Sequence, residues 1–332
     1  VFARIFAVIQ ARNLEFLRDR AALAWNFALP LFVVLGFAFA YSGNSLSTYK
    51  VGVYGPHADS GFFATRYIRF VPVHTRDQGI AWVGHQKLDM FVDPGDKRYW
   101  INDSSPKGYL LARILAGSET QAGEYRQATV QGRQIGYVDW LIPGVLGMNM
   151  MFSALFGVGY VIVRYRRNGV LKRLKATPLA AFEFLAAQVL SRLWLMLIVT
   201  AIIFFGLKLM LGFPVMGSYL DLLLVFLLGS ACLISLGMLV AARLRSEELA
   251  GGLLNAITWP MMFLSGVWFS LAGLNPWMQK IALIFPLTHI IHAARAIMLD
   301  GDGLAAIAPN LITLAVMTAV FLAVGAWSFR WE

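Results

Sequence analysis

The chain has 332 residues, of which 58% are apolar or aromatic and only 14% charged, with a mean hydropathy of +0.65. That excludes a soluble globular domain and a disordered chain, both of which carry far more charge. Lys and Arg number 28 against 18 Asp and Glu, a net charge of +10; in so apolar a chain the surplus reports where loops meet water, and no nucleic-acid partner is expected.

The opening stretch carries Arg4, Arg12, Glu15, Arg18, Asp19 and Arg20 before any long apolar run, unlike a cleavable signal peptide. At about 100° per residue, Phe2, Ile5, Phe6, Ile9, Phe16 and Leu17 share an arc of about 120°. This predicts an amphipathic interfacial helix over residues 1–20, lying along the membrane surface. It is either a plain anchor or a contact for a cytoplasmic partner, the latter through Arg12, Arg18 and Asp19.

A bilayer core about 30 Å thick takes roughly 20 apolar helical residues. Charge-free stretches long enough for this occupy residues 21–49, 140–163, 222–242, 249–279 and 303–329, the first giving a span over 21–43. Residues 184–207 form a sixth, although Arg192 at the centre of an isolated helix would cost about 2.5–3.5 kcal/mol. Either Arg192 snorkels to one interface while Lys208 reaches the other, or it faces a polar cavity. Asn26, Asn149 and Asn255 lie within spans, as pathway lining or as interhelical hydrogen-bond glue.

Residues 44–139 have the composition of a soluble domain. Strands are predicted at 51–54, 70–73, 90–92 and 99–101, helices at 59–69 and 77–85, and a helix through Leu115 opened by Ser104, Ser105 and Pro106. The order describes a small α/β domain. Asp89, Asp93, Asp96 and Asp103 have no metal-ligand spacing and read as solvated loop charges.

Between the second and third spans, residues 164–175 hold Arg164, Arg166, Arg167, Lys172, Arg173 and Lys175 and no acid, so this loop is expected in the cytoplasm. Six spans then place both termini there, including Arg330, and put residues 44–139 outside. Gly169 allows a turn, Leu171 and Leu174 form a short stripe, and Thr177-Pro178 separates two helices. Judged alone, the loop needs no reading beyond the positive-inside rule. Residues 259–289 are too long for one span and too short for two, and Pro260, Gly266, Gly273, Pro276 and Pro286 interrupt them. A span to about residue 270 is expected, then a re-entrant helical hairpin over 271–290 with Asn275 and Pro276 near its bend. Such a hairpin survives at depth only where protein or a wet cavity covers its polar groups.

His289 and His292 share a helix face but lack a third ligand, so no metal is expected. The lone Cys232 excludes a disulfide. No Ser/His/Asp or Cys/His arrangement favours catalysis, and the phosphate-cradling pattern G-x-x-x-x-G-K-[ST] does not occur. The chain is not expected to be an enzyme or to bind ATP through that motif.

The run R-Y-R-R-N-G-V-L-K-R-L-K-A-T-P-L-A-A-F-E-F-L, residues 164–185, resembles the coupling segment of ABC type-2 transporter permeases. The later F-L-S-G-V-W-F-S-L-A-G-L-N-P-W-M-Q-K-I-A-L-I-F-P-L-T-H-I-I-H-A-A-R, residues 263–295, is similar to the last membrane motif of that family. The resemblance implies the integral membrane subunit of an exporter in the bacterial inner membrane. It implies two permease chains, identical or different, around a pathway through the membrane lipid, and two cytoplasmic ATP-binding-cassette ATPase subunits that carry the ATP and Mg. A periplasmic adaptor is a further expected partner in some assemblies. By similarity, Arg166, Arg167, Gly169, Lys172, Arg173, Leu174, Thr177 and Pro178 belong to the ATPase-coupling helix within residues 164–180, and Asn275, Pro276 and Pro286 to the re-entrant hairpin. Family members often carry an acid before the glycine, where this chain has Arg166, Arg167 and Asn168.

The expected fold is an α-helical integral membrane protein with six transmembrane helices, an amphipathic N-terminal interfacial helix, a re-entrant hairpin before the last span and a small α/β extracytoplasmic domain between spans 1 and 2. The alternative function is a non-transporting membrane subunit that transmits ATPase motion to its external domain; solute flux in vesicles separates the two. A membrane-embedded enzyme would instead rest on His289, His292 and Asp300.

Overall fold

Short strands form a five-stranded sheet from β1 (Tyr49–Val53), β2 (Ile68–Pro72), β3 (Met90–Asp93), β4 (Arg98–Asn102) and β5 (Arg126–Val130), in the order β2-β1-β3-β4-β5. Strand β1 runs parallel to β2 and β3, β3 antiparallel to β4, and β4 parallel to β5. The computed structural model describes residues 2–40, 49–56, 61–84, 88–102, 105–118, 125–130, 137–244, 246–271 and 275–328. Ser104, Asp103 and Arg330 lie outside them. The chain divides into two compact units, residues 41–137 and the rest.

Within the α/β unit, the period of two sends Met90 and Val92 to one core with Val51, Phe62, Leu111 and Leu115, and Phe91 to a second core with Val73, Val83 and Leu88. Helix α3 (Arg76–Gly84) covers the second face and α4 (Pro106–Ser118) the first. The Ser105 hydroxyl accepts from the Gly108 amide at 3.2 Å, the expected cap. The helix predicted at 59–69 is not formed: Gly61–Ala64 make one 3-10 turn, Phe62 is buried, and Tyr67, at φ 69°, turns the chain into β2. Strand β5, R-Q-A-T-V, is missed by hydrophobic pattern because it pairs on one side only, at the sheet edge.

Asp93 corrects the reading of solvated loop charges. It is buried, its Oδ1 accepts from the Gly95 and Asp96 amides, and its Oδ2 pairs with Arg76 Nε at 2.6 Å. Arg76 Nη1 reaches Asp96 at 2.6 Å, and this bond, first among several contacts with the two carboxylates, raises the arginine's pKa. Asp89 accepts from the Lys50 amide at 2.7 Å. Arg76→Ala leaves a buried carboxylate without its cation, and faster hydrogen exchange of the β3–β4 turn amides in the full chain is the expected result.

The membrane unit begins with two helices, α1 (Phe2–Arg18) and the apolar α2 (Arg20–Ala40). It continues through α5 (Tyr137–Ala154), a π-helical segment (Leu155–Tyr160), α6 (Val161–Arg167), α7 (Val170–Lys175), α8 (Ala181–Leu211), α9 (Tyr219–Ala241), α10 (Glu247–Leu264), α11 (Pro276–Ala282), α12 (Pro286–Arg295) and α13 (Leu304–Ser328). Among the described residues, four helices are long and apolar enough to cross a membrane: Tyr137–Arg167, Phe182–Leu211, Tyr219–Ala241 and Leu304–Ser328. Two bent pairs, Phe2–Arg18 with Leu23–Phe39 at 60° and Pro276–Ala282 with Pro286–Asp300 at 97°, bring the number to six if each is one span. Helix α10 has 18 residues, about 27 Å at 1.5 Å per residue, slightly short of the hydrocarbon thickness. Helix α9 is central, touching α8, α12, α13 and the π segment.

Candidate functional site: the bulged span and its basic turn

A π segment widens a helix and leaves carbonyls at its edge open to side chains. At the entry to Leu155–Tyr160 the Ser153 carbonyl accepts from Arg192 Nε at 3.0 Å and Nη2 at 2.6 Å, and the Ser153 hydroxyl accepts from Nη2 at 2.7 Å. The Phe16 ring lies 5.0 Å from the guanidinium carbon. Only glycine at 157 permits this approach, since a Cβ there would fall 2.1 Å from Arg192 Nη2. Arg192 is therefore buried rather than snorkelling, held by an acceptor that the bulge exposes.

A second arginine reaches the same bulge. Arg12 Nη2 donates to the Gly157 carbonyl at 3.2 Å, while Nη1 pairs with Glu15 at 2.7 Å and donates to the Tyr165 hydroxyl at 2.8 Å. Tyr165 in turn donates to Glu15. On the apolar face of α1, Phe2, Phe6 and Leu17 are exposed. Its polar side meets protein: Asn13 Oδ1 accepts from Ser191 Oγ at 2.7 Å and Trp194 Nε1 at 3.3 Å, and Arg4 contacts Glu183 and the Pro178 carbonyl. Arg18 is exposed.

Arg12, Glu15, Asp19, Asn26, Asn149 and Arg192 line a cavity of about 480 Å³ together with Phe16, Trp25, Leu29, Phe152 and Phe156. Asn26 and Asn149 are thus brought together. Asn255 is not: it is exposed on α10 and its Nδ2 donates to the Gly251 carbonyl at 2.9 Å, within its own helix.

The residues expected in one coupling helix over 164–180 fall into three places. Residues 164–167 end the bulged span, and Arg166 there is buried, donating to the carbonyls of Ala241 at 2.9 Å, the last residue of α9, and of Ala242 at 3.0 Å and Leu244 in the turn that follows. Four carbonyls at any helix end lack intrahelical partners, and a guanidinium is a fitting cap for them. Arg166 is then a helix cap and not a surface contact. Arg167, half-exposed, lies 3.5 Å from Glu247 and 3.6 Å from Glu248 at the start of α10, where Glu247 also accepts from the Tyr160 hydroxyl at 2.8 Å.

Gly169, at φ 70°, turns the chain into α7. There Leu171 is buried, Leu174 half-buried, and Lys172, Arg173 and Lys175 are exposed. Thr177 Oγ1 donates to the Leu174 carbonyl at 2.6 Å, and Thr177 and Pro178 are exposed before Glu183 Oε2 accepts from the Ala180 amide at 2.9 Å and opens α8. Of the expected coupling set, Arg167, Lys172, Arg173, Thr177 and Pro178 share this exposed basic turn. Gly157, Ser153, Asn13, Tyr165 and Ser191 were missed by sequence reasoning. The pair Gly157 and Gly159 inside an apolar span was the one local signal of a close approach.

The hairpin bends before Pro286, the first residue of α12, and not at Asn275 and Pro276 as expected, because Pro276 opens α11 and the Asn275 carbonyl accepts from the Met278 amide at 2.9 Å. Buried side chains satisfy the carbonyls freed at the bend. Thr288 Oγ1 donates to the Ala282 carbonyl at 2.6 Å and lies 3.0 Å from Ser265 Oγ, and His289 Nε2 donates to the Leu283 carbonyl at 2.9 Å with Nδ1 3.1 Å from Asn310 Oδ1. Arg295 Nε donates to the Trp140 carbonyl at 3.1 Å, above the Trp140 ring. His289 is buried and His292 exposed, so the two do not converge, and no three-residue metal cluster occurs among the described residues.

The sequence profile of ABC-2 family transporter proteins matches residues 20–327. The chain belongs to the ABC-2 transporter family. Among similar proteins, the inner membrane transport permease YhhJ of Escherichia coli (strain K12) is 27% identical over 183 residues, 55% of this chain and 49% of YhhJ. The probable multidrug ABC transporter permease YbhS of the same strain is 22% identical over 187 residues, again 55% and 49% of the two chains. The ABC transporter G family member 20 of Dictyostelium discoideum is 29% identical over 174 residues, 51% of this chain and 23% of that one. The alignments span about half the length of the bacterial relatives. In this ABC-2 protein the family region takes in the bulge, the basic turn and the hairpin, whereas α1, which supplies Arg12 and Phe16 to the cavity, precedes it.

Proposed function

We propose that the chain is the permease subunit of an ATP-driven ABC exporter in the bacterial inner membrane. Helices α2, the bulged span, α8, α9, α10 and α13 are its six spans, and α11–α12 is a re-entrant hairpin from the outer side. Both termini and α7 then face the cytoplasm and the α/β unit faces outward. Two permease chains, identical or different, enclose the pathway, and two separate ATPase subunits bind ATP and Mg and act on α7.

The observation that carries this reading is the exposed cationic turn, Lys172, Arg173 and Lys175, presented directly between two long apolar helices. Leu171 anchors that short helix in the protein and α7 packs on α6 at the end of the bulged span, so a push on it reaches that span. With the partner ATPase, the Lys172→Glu/Arg173→Glu double variant is expected to lower coupled ATP hydrolysis about tenfold or more, since like-charge juxtaposition across an interface costs several kcal/mol. Its thermal midpoint should match that of the parent. Unchanged hydrolysis would remove α7 from the contact.

A further inference from the structure

We infer that the cavity beside the π bulge binds the anionic headgroup of an amphiphile, with Arg192 as its principal cation. Arg192 is only 7% exposed. Its hydrogen bonds use Nε and Nη2, both to neutral oxygens of Ser153, and among the described residues no carboxylate lies within ion-pair distance of it. A guanidinium does not deprotonate in proteins, and a buried charge is stable only when paired. These neutral oxygens meet the Nε and Nη2 donors and the Phe16 ring faces the cation, but none of them carries a negative charge.

The other charges on the wall do not supply the missing anion. Arg12 is matched by Glu15 at 2.7 Å. Arg192 and Arg164 then stand against Asp19 alone, two cations to one acid, which leaves the wall with an excess positive charge. Arginine suits phosphate and carboxylate oxygens because its planar fork donates two parallel bonds.

The shape argues for more than a small ion. At about 480 Å³ the cavity is many times the roughly 30 Å³ of one water and lies in the range of organic ligand pockets. Phe16, Phe152 and Phe156 form much of its wall, and Trp25 and Leu29, 67% and 38% exposed, continue it onto the outer surface of α2. Arg164 and Asp19, both exposed, line it as well. An occupant that is charged at one end and apolar at the other matches this mixed lining.

The proposal uses the membrane setting of the family and not the motor contact, so it is tested on the isolated full chain without ATP. The probe is phosphatidylglycerol with brominated acyl chains, titrated into the detergent-solubilised protein while tryptophan fluorescence is read. A quenching component that disappears in Trp25→Phe is expected, with half-saturation at a concentration at least about tenfold lower than for brominated phosphatidylcholine. Arg164→Gln should raise that concentration about fivefold, the effect of one cation near a membrane surface. Arg192→Gln should abolish the component where size exclusion shows it folded, and the exposed Arg164 variant keeps the test open if it does not. Slow exchange of the brominated lipid against unlabelled phosphatidylglycerol marks a resident bilayer lipid, and fast exchange a passing amphiphile; both support an anionic headgroup in the cavity. Equal quenching by the two lipids, displacement by millimolar inorganic phosphate, or an unaltered Arg164→Gln titration would overturn the proposal.

Discussion

Arg166→Ala is expected to destabilise the membrane unit by about 3 kcal/mol or more, because removing the guanidinium leaves three carbonyl contacts unmet at about 1–3 kcal/mol each. The carbonyls of Ala241, Ala242 and Leu244 close the end of α9, the helix that touches α8, α12, α13 and the π segment. Loss of the cap frees that end from the end of the bulged span, so the damage spreads beyond one turn. The thermal midpoint of the purified protein in detergent should fall by roughly 6–12 °C, taking about 2–4 °C per kcal/mol for a unit of this size. Arg166→Lys should recover little, since a single ammonium cannot reach three oxygens that a planar fork spans. Arg167→Ala, Lys172→Ala and Arg173→Ala, all at exposed positions, should leave the midpoint nearly unchanged. A midpoint for Arg166→Ala equal to theirs would mean that the arginine is a surface group after all.

The second large effect is expected at the bulge, and it is an effect of coupling. Gly157→Ala places a methyl where Arg192 Nη2 now sits, 2.1 Å from its carbon, so either the guanidinium leaves Ser153 or the helices part. Overpacking of this kind costs about 1–3 kcal/mol. Arg192→Ala removes the bonds to Ser153 and leaves its carbonyl uncovered, a loss of similar size. In the double variant the methyl occupies space that the arginine has vacated, so the cost of Gly157→Ala should nearly vanish. The departure from additivity is expected at about 1–3 kcal/mol, measured by a cycle of four unfolding midpoints. Strict additivity would show that the two residues do not compete for one space.

Much of the architecture was legible because it follows from local chemistry. Apolar runs longer than a bilayer is thick leave a helix few alternatives, since no other open structure satisfies its backbone in lipid. The strands around Val51, Met90 and Trp100 were legible as short apolar runs between turn residues, and α4 from its serine and proline start. Pro276 and Pro286 were legible as breaks in the apolar run, but which of them lies at the bend was not, since both open helices. Strand β5 was hidden because an edge strand has little apolar surface to bury, and the helix at 59–69 was overruled by the burial of Phe62. Asp93 looked like a loop charge, and only the fold brings Arg76 to it across 17 residues of chain.

What the sequence determined by itself was therefore the kind of solvent each segment meets, the positions of the chain breaks and the presence of a cationic turn between two apolar helices. What only the tertiary structure decided was which cations stay at that surface. Lys172 and Arg173 remain there, while Arg166 and Arg192 turn inward to carbonyls 75 and 39 residues away along the chain. The reason is that a helix end or a π bulge frees backbone acceptors in a place where water cannot serve them. A nearby arginine is drawn to them whatever its own neighbours in sequence suggest.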